Sequence, residues 1–254
     1  MLTERPNSVI TLLNATYEPQ IGYARKLSEV AESVNRWFKN RHWFSTENSY
    51  TFRDPDGHFL FTARWNHLFF QTLGLKPWID RVEEAGEMAD KVLTGLNVKQ
   101  LKSVSFRAQA FVDLEMAHSE IVDRLYATYL ADRGELSHIA SDFTDAAIAL
   151  YGVRSGHKFR LSLTPQTPEQ VKTSFFAVQN LEHFLVDKFV GNEIRDFWNG
   201  IAGKAALNVE IEISEDDLGT EWLKKFMQES ISVANELAGV AVKHLLALPV
   251  SSSK

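Results

Sequence analysis

Apolar and polar residues alternate along three segments of the chain, and each segment leads through a short acidic stretch into a pattern of helical period. The three units run from Val9 to Lys39, from Val104 to Asp132 and from Leu207 to Leu237. Strand side chains point alternately to two faces, whereas an amphipathic helix repeats about every 3.6 residues. The pattern therefore predicts three strand–helix units that start about 100 residues apart, a spacing typical of a duplicated domain-sized unit.

The third unit shows the clearest alternation. Its apolar positions are Leu207, Val209, Ile211 and Ile213, and its polar positions are Asn208, Glu210, Glu212 and Ser214. One face of this strand is therefore apolar and the other is acidic. We expect Ser214 or Asp217 to cap a long helix through Leu218 to Val240, because such side chains accept hydrogen bonds from the first helical amides.

The second unit also predicts a strand with two unlike faces. The apolar face carries Val104, Phe106, Ala108, Ala110 and Val112, and the polar face carries Ser105, Arg107, Gln109 and Asp113. An amphipathic helix with Ile121, Leu125 and Tyr129 on its apolar side is expected to follow.

Hairpins and a further helix are predicted between these units. Asp54–Gly57 contains a Pro and a Gly in a turn pattern, and Arg154–His157 is a second turn between two strand-like segments. Pro77 suits the first turn of a helix that ends near Gly95. The mostly apolar stretch from Ser174 to Val190 is interpreted as one or two strands.

The order strand, helix, hairpin, helix thus occurs twice, with an extra strand and helix at the end. This order is typical of ferredoxin-like motifs. We predict an α+β protein made of two tandem ferredoxin-like (βαββα-type) units, residues 1–101 and 102–250, that form one compact body. The sheet is expected to be mainly antiparallel with helices on one face, and the chain to end in a long helix.

Composition narrows the functional classes. The 254 residues carry a net charge of -6, which argues against sequence-independent nucleic-acid binding, and they include no cysteine, which excludes disulfides and thiol chemistry. The first residues lack the features of a signal peptide, and no apolar run approaches the roughly 20 residues of a membrane helix. We therefore expect a soluble, cytoplasmic protein without a membrane segment.

In layout, the chain resembles a sporadically distributed family of uncharacterised bacterial proteins. The resemblance rests on Arg5-Pro6 near the start, on the strand segment Ser105-Phe106-Arg107-Ala108, and on the acidic strand Val209–Ile213 that leads into a helix containing Phe226. It covers most of the chain and implies no activity and no site residue.

Four residues are candidates for ligand binding: Arg107, Gln109, His183 and Glu210. Arg107 and Gln109 share a polar strand face, where a guanidinium would bind a carboxylate or phosphate. Glu210 and Glu212 form a possible carboxylate pair, and Glu182-His183 a possible acid–base pair. Each of these has a simpler interpretation as a solvated or core residue. We expect no catalytic residue, no metal and no cofactor.

Aromatic residues are the candidates for partner binding. Trp43, Trp65, Phe69 and Phe70 could form an apolar surface patch, or they could belong to the core, which is the commoner use of such side chains.

No glycine-rich phosphate loop and no nucleophile elbow is present. The leading hypothesis is therefore a non-enzymatic binding protein that acts as a protein partner, adaptor or regulatory subunit, with homo-oligomers possible. One alternative is a small-molecule binder for an anionic ligand or for haem, with His183 or His118 as the haem ligand. The other is an enzyme that uses carboxylates and Arg107 in a pocket.

Overall fold

The computed structural model describes residues 10–20, 22–35, 42–46, 49–53, 59–73, 79–129, 144–180, 199–200 and 203–247. The strands in these residues are β1 (Ile10–Thr16), β2 (His42–Thr46), β3 (Ser49–Arg53), β4 (Phe59–Arg64), β5 (His67–Leu73), β6 (Gln100–Val112), β7 (Ile148–Arg154), β8 (His157–Gln166) and β9 (Ala206–Gly219). The helices are α1 (Tyr23–Asn35), α2 (Ile79–Gly95), α3 (His118–Tyr129), α4 (Pro168–Asn180) and α5 (Leu223–Ala247), with a short 3-10 helix at Thr220–Trp222.

The nine strands form a single sheet in the order β2-β3-β4-β5-β1-β6-β9-β8-β7. Every strand pair in the described part of the chain is antiparallel. The prediction of an α+β protein with a mainly antiparallel sheet and a long C-terminal helix is therefore confirmed.

Both predicted hairpins join adjacent strands. The Asp54–Gly57 turn lies outside the described residues, but the strands on either side of it pair antiparallel, with Arg53 opposite Leu60. In the second hairpin, Ser155 and Gly156 both have positive φ, at 50° and 86°. Two successive positive φ angles are typical of a type I′ turn, whose twist matches that of the strands it joins.

One face of the sheet forms the core of the protein. Residues directly opposite each other in antiparallel strands lie on the same face. A row of paired apolar residues crosses seven strands on this face: Phe52, Phe61, Phe70, Leu13, Phe106, Ile213 and Phe159. All but Phe159 are buried, and Phe159 packs against the buried cluster.

Helices cover this apolar face. Helix α2 contacts both α1 and α5, and α3 contacts α5 and β8. Met88 and Val92 of α2 are fully buried, as is Met227 of α5. The other face of β6 and β9 carries mostly polar residues, as the alternation predicted, but Phe111 also lies on this face and is fully buried.

The start of the C-terminal helix differs from the prediction. Ser214 and Asp217 do not cap it, because both still belong to β9, which pairs with β6 as far as Gly219. Helix α5 begins only at Leu223, after the 3-10 helix. Strand pairing therefore continues through the acidic stretch that the sequence marks as a turn.

The sequence predicts one or two strands from Ser174 to Val190, and this prediction is wrong for the described part of that stretch. Residues 168–180 form α4. The amide of Thr167 donates to Gln170 Oε1 at 2.8 Å, and the amide of Gln170 donates to Thr167 Oγ1 at 3.3 Å. This reciprocal pair is a capping box, and Pro168 at the first helical position reinforces it.

Candidate functional site

Two arginines and two glutamates form a charged array on the sheet face opposite the helices. Arg107 on β6 and Arg160 on β8 lie directly on either side of Glu212 on β9. Arg107 Nη2 is 2.6 Å from Glu210 Oε2, and Arg160 Nη1 is 3.9 Å from one oxygen of each glutamate. The array, Arg107, Arg160, Glu210 and Glu212, is therefore balanced in charge.

The structure brings three of the predicted ligand-binding residues together, but it pairs them with protein groups. Arg107 binds Glu210, and Gln109 Nε2 donates to Asn208 Oδ1 at 3.2 Å. An anionic ligand at Arg107 would compete with the Glu210 carboxylate, which is already in place and mostly shielded from water. His183 lies outside the described residues, and ligand binding at all four positions stays a prediction.

The four predicted partner-binding aromatics do not form one patch. Trp65 is 45% exposed in the turn between β4 and β5, and Phe69 is partly buried on the face opposite the helices. Phe70 is fully buried, with its ring centroid 4.7 Å from that of Phe61, so its assignment to a partner surface is wrong. Trp43 lies on β2 opposite Phe52, and its side chain is outside the described residues.

His67 lies beside the exposed Trp65. Its Nδ1 is 3.1 Å from Asn66 Oδ1. Partial burial, and then the charge of Arg64, lower the pKa of His67 below its ordinary value. Both effects favour the neutral form of the imidazole.

A stronger candidate surface lies at the β7 edge of the sheet. Tyr151 is 76% exposed and Val153 69% exposed, both on the face opposite the helices. Leu150, on the helix face, is 38% exposed. Among the described residues no strand pairs with the outer side of β7. Its outer backbone groups therefore face away from the described sheet.

The apolar surface continues from β7 onto the nearest helix. Arg154, the last residue of β7, forms an ion pair with Glu236 of α5. Val240 is exposed and lies one helical turn after Glu236, so it faces the same side of the helix. We call Leu150, Tyr151, Val153 and Val240 the edge patch, because these side chains flank the outer side of β7 on both faces of the sheet.

The edge patch was missed by sequence reasoning. A signal for it is present, since Ile148–Val153 contains no charged residue and no proline. Natural edge strands usually carry such residues, because they oppose pairing with other chains. The position of β7 at an edge, however, depends on the strand order, which the local pattern does not contain.

A separate cleft of about 400 Å³ lies beside the β7–β8 turn. His157 Nε2 is 3.0 Å from Glu229 Oε2, and His157 Nδ1 is 3.6 Å from Glu215 Oε2. Glu221 and the exposed Trp222 also line the cleft. Nε2 is thus within hydrogen-bond distance of Glu229, and Nδ1 faces the Glu215 carboxylate at a longer distance, so protein carboxylates flank the imidazole on both sides.

The chain matches no protein-family model, and a search of curated proteins finds no relative. Membership of the uncharacterised bacterial family therefore stays a prediction. In the described residues no helix is long and apolar enough to cross a membrane, and no group of three histidine or carboxylate side chains is placed to hold a metal ion.

Proposed function

We propose that the protein is a non-enzymatic binding protein that acts in the cytoplasm by pairing its exposed edge strand β7 with a strand of a protein partner. The observation that carries this proposal is the exposure of Tyr151 and Val153 on a strand whose outer side is unpaired within the described sheet. A partner strand would gain main-chain hydrogen bonds from β7 and apolar contacts from the edge patch.

The chemistry of β7 supports strand addition. Proteins protect exposed edges with charges, prolines, bulges or short length. β7 is seven residues long, pairs with β8 along its whole length without a bulge, and carries its single charge at Arg154, which is paired with Glu236. An edge without these protections is expected to be covered in the functional state of the protein.

The alternative functions have less support. In the charged array, Arg107 and Arg160 both lie within ion-pair distance of glutamates, so an anionic ligand would compete with carboxylates already in place, although the Nε of each arginine is buried without a hydrogen-bond partner in the described part of the chain. In the cleft, His157 is likewise engaged by Glu229 and Glu215. The edge patch, in contrast, gains contacts when a partner covers it.

We further propose that the sheet consists of two related halves that meet at the β1–β6 pair, close to the predicted division into residues 1–101 and 102–250. Because β6 begins at Gln100, the boundary between the halves falls just before that residue. Counted outwards, the first half has the strand order β1-β5-β4-β3-β2 and the second has β6-β9-β8-β7. In each half, one helix comes directly after the innermost strand in the chain, and a second helix comes directly after the strand beside it. These helices are α1 after β1 and α2 after β5 in the first half, and α3 after β6 and α5 after β9 in the second. β9 lies between β6 and β8 in the sheet, just as β5 lies between β1 and β4. If the two halves are related, β9 therefore corresponds to β5, and α5 corresponds to α2. The two halves differ at their outer edges, and the edge patch belongs to the second half.

The proposed function predicts that partner capture depends on β7. Replacing Tyr151 with Lys places a charge where a partner strand would pack, and we expect the amount of co-purified partner to fall at least about tenfold. The measurement is affinity purification of the tagged protein from its native cells, with quantitative mass spectrometry of the proteins that bind to it.

Leu246→Lys provides the control, because Leu246 is an exposed apolar residue of α5 outside the edge patch. It should capture the same partner in the same amount as the original chain. Equal capture by the Tyr151→Lys variant would contradict the proposal, provided that both variants keep the melting temperature of the original protein.

A further inference from the structure

We propose that the strand that pairs with β7 is β7 of a second copy of this chain, so that two sheets join edge to edge in a closed dimer. This inference rests on the proposed function and names the partner. Three properties of β7 support pairing with a second copy of itself: the fit of its side chains, its lack of unpaired charge, and the two-fold symmetry of the contact.

The steric fit is clearest in an antiparallel register with Tyr151 opposite Tyr151 of the second copy. Ala149 then lies opposite Val153 of the second copy, on the face opposite the helices. Directly opposite side chains contact each other across antiparallel strands. The small Ala149 and the larger Val153, both exposed in the single chain, therefore alternate on either side of the central tyrosine pair.

The helix face fits in the same register. Gly152 lies opposite Leu150 of the second copy, and a Cβ atom at Gly152 would lie only 2.9 Å from the ring of Phe159. The ring of Phe159 therefore covers the place of the missing side chain. Leu150 of the second copy would pack over Gly152 against this ring.

Charge favours the same contact. The chain has a net charge of -6, so two copies repel each other over most of their surfaces. Residues 148–153 carry no charge, and the guanidinium of Arg154 is paired with Glu236 of its own copy. The β7 edge is thus a place where two copies can approach without bringing unpaired like charges together.

Symmetry explains why such pairing would stop at two copies. A β7–β7 contact uses the same patch on both copies and closes about a two-fold axis. After it forms, neither copy presents its β7 edge to a third. A β7–β2 contact would instead leave one free edge at each end and would continue as a fibre.

Sedimentation velocity of the purified full chain, from about 1 μM to about 500 μM, tests the inference. We expect a concentration-dependent dimer that becomes tighter as salt screens the repulsion between the copies. Leu150→Lys should raise the dissociation constant of the dimer on the order of 100-fold, because both copies carry the substitution.

Leu246→Lys is the matched control, because Leu246 and Leu150 have the same exposure of 38%. It should dimerise as the original chain does. Val153→Lys is the second test variant if Leu150→Lys fails to fold, because Val153 points away from the helices. It should weaken the dimer to a similar degree.

A chain that is monomeric at every concentration would overturn the inference, and so would dimers of unchanged strength in folded Leu150→Lys and Val153→Lys variants. Neither result decides whether β7 binds a different protein, because the capture experiment with Tyr151→Lys tests that separately. If the chain is monomeric but Tyr151→Lys still loses a partner from native cells, the partner is a different protein. A dimer that only the β7 substitutions weaken supports the inference whether or not another protein is captured.

Discussion

Replacing Phe106 with Ala is expected to lower the free energy of unfolding by about 3–5 kcal/mol, because it leaves a large cavity in a close-packed core. Phe106 is buried at the centre of the sheet, opposite Leu13 on one side and Ile213 on the other. Urea denaturation, followed by the circular dichroism of the helices, measures the change.

Arg107→Ala is the control for this prediction, since Arg107 is the next residue of the same strand and lies on the opposite face. It is expected to cost less than about 1 kcal/mol, because its ion pair with Glu210 is partly exposed to water. Equal losses for Phe106→Ala and Arg107→Ala would contradict the assignment of the apolar face to the core and of the polar face to the surface.

Removing the hydroxyls of Tyr17 and Tyr23 together is expected to lower the free energy of unfolding by about 2–4 kcal/mol. The Tyr17 hydroxyl donates to the carbonyl of Arg64, and the Tyr23 hydroxyl donates to the carbonyl of Ala63. Both tyrosines are buried, so the double variant Tyr17→Phe/Tyr23→Phe keeps the packing while both carbonyls lose a donor. Urea denaturation at pH 7 measures this loss.

The same pair predicts a dependence on alkaline pH. Burial raises the pKa of both hydroxyls well above the ordinary value of about 10. Above that pH the unfolded chain releases the two phenol protons while the folded chain retains them, so the stability must fall as pH rises. The stability of the double variant should fall less steeply above pH 10 than that of the original chain. Parallel curves would contradict the burial of these hydroxyls.

Local patterns in the sequence were sufficient to predict most of the secondary structure. The alternation around Phe106 and Ile211 identified both strands and their apolar faces, because that pattern is imposed directly by the geometry of a strand. The turn residues Ser155 and Gly156 likewise identified a hairpin through their backbone preferences.

Long-range pairing could not be predicted in the same way. The contact of Arg107 with Glu210 depends on the register between β6 and β9, whose paired residues are about 100 positions apart in the chain. Phe69 and Phe70 are both aromatic neighbours on β5, and only the side on which the helices pack determines that Phe70 is fully buried. The exposure of Tyr151 follows from the position of β7 at the end of the strand order.

Two errors have local causes. The acidic residues 215–217 resemble the start of a helix, but the pairing of β9 with β6 extends past them. The apolar residues from Ser174 onwards resemble a strand, although Thr167, Pro168 and Gln170 form a helix start directly before them. In the second case the sequence contained the correct signal, and the apolar composition concealed it.

Amide hydrogen exchange shows directly whether β7 is the strand through which this protein binds. Exchange is measured in a bound state and in the free monomer. The bound state is either the protein isolated from native cells with its partner or the concentrated dimer, and the monomer is the same chain after dilution. We expect slower exchange of the amides in residues 148–154 in the bound state, because a paired strand protects the outward amides of β7. Unchanged exchange in residues 148–154, with protection appearing instead around Trp65 or in the cleft at His157, would contradict binding through β7.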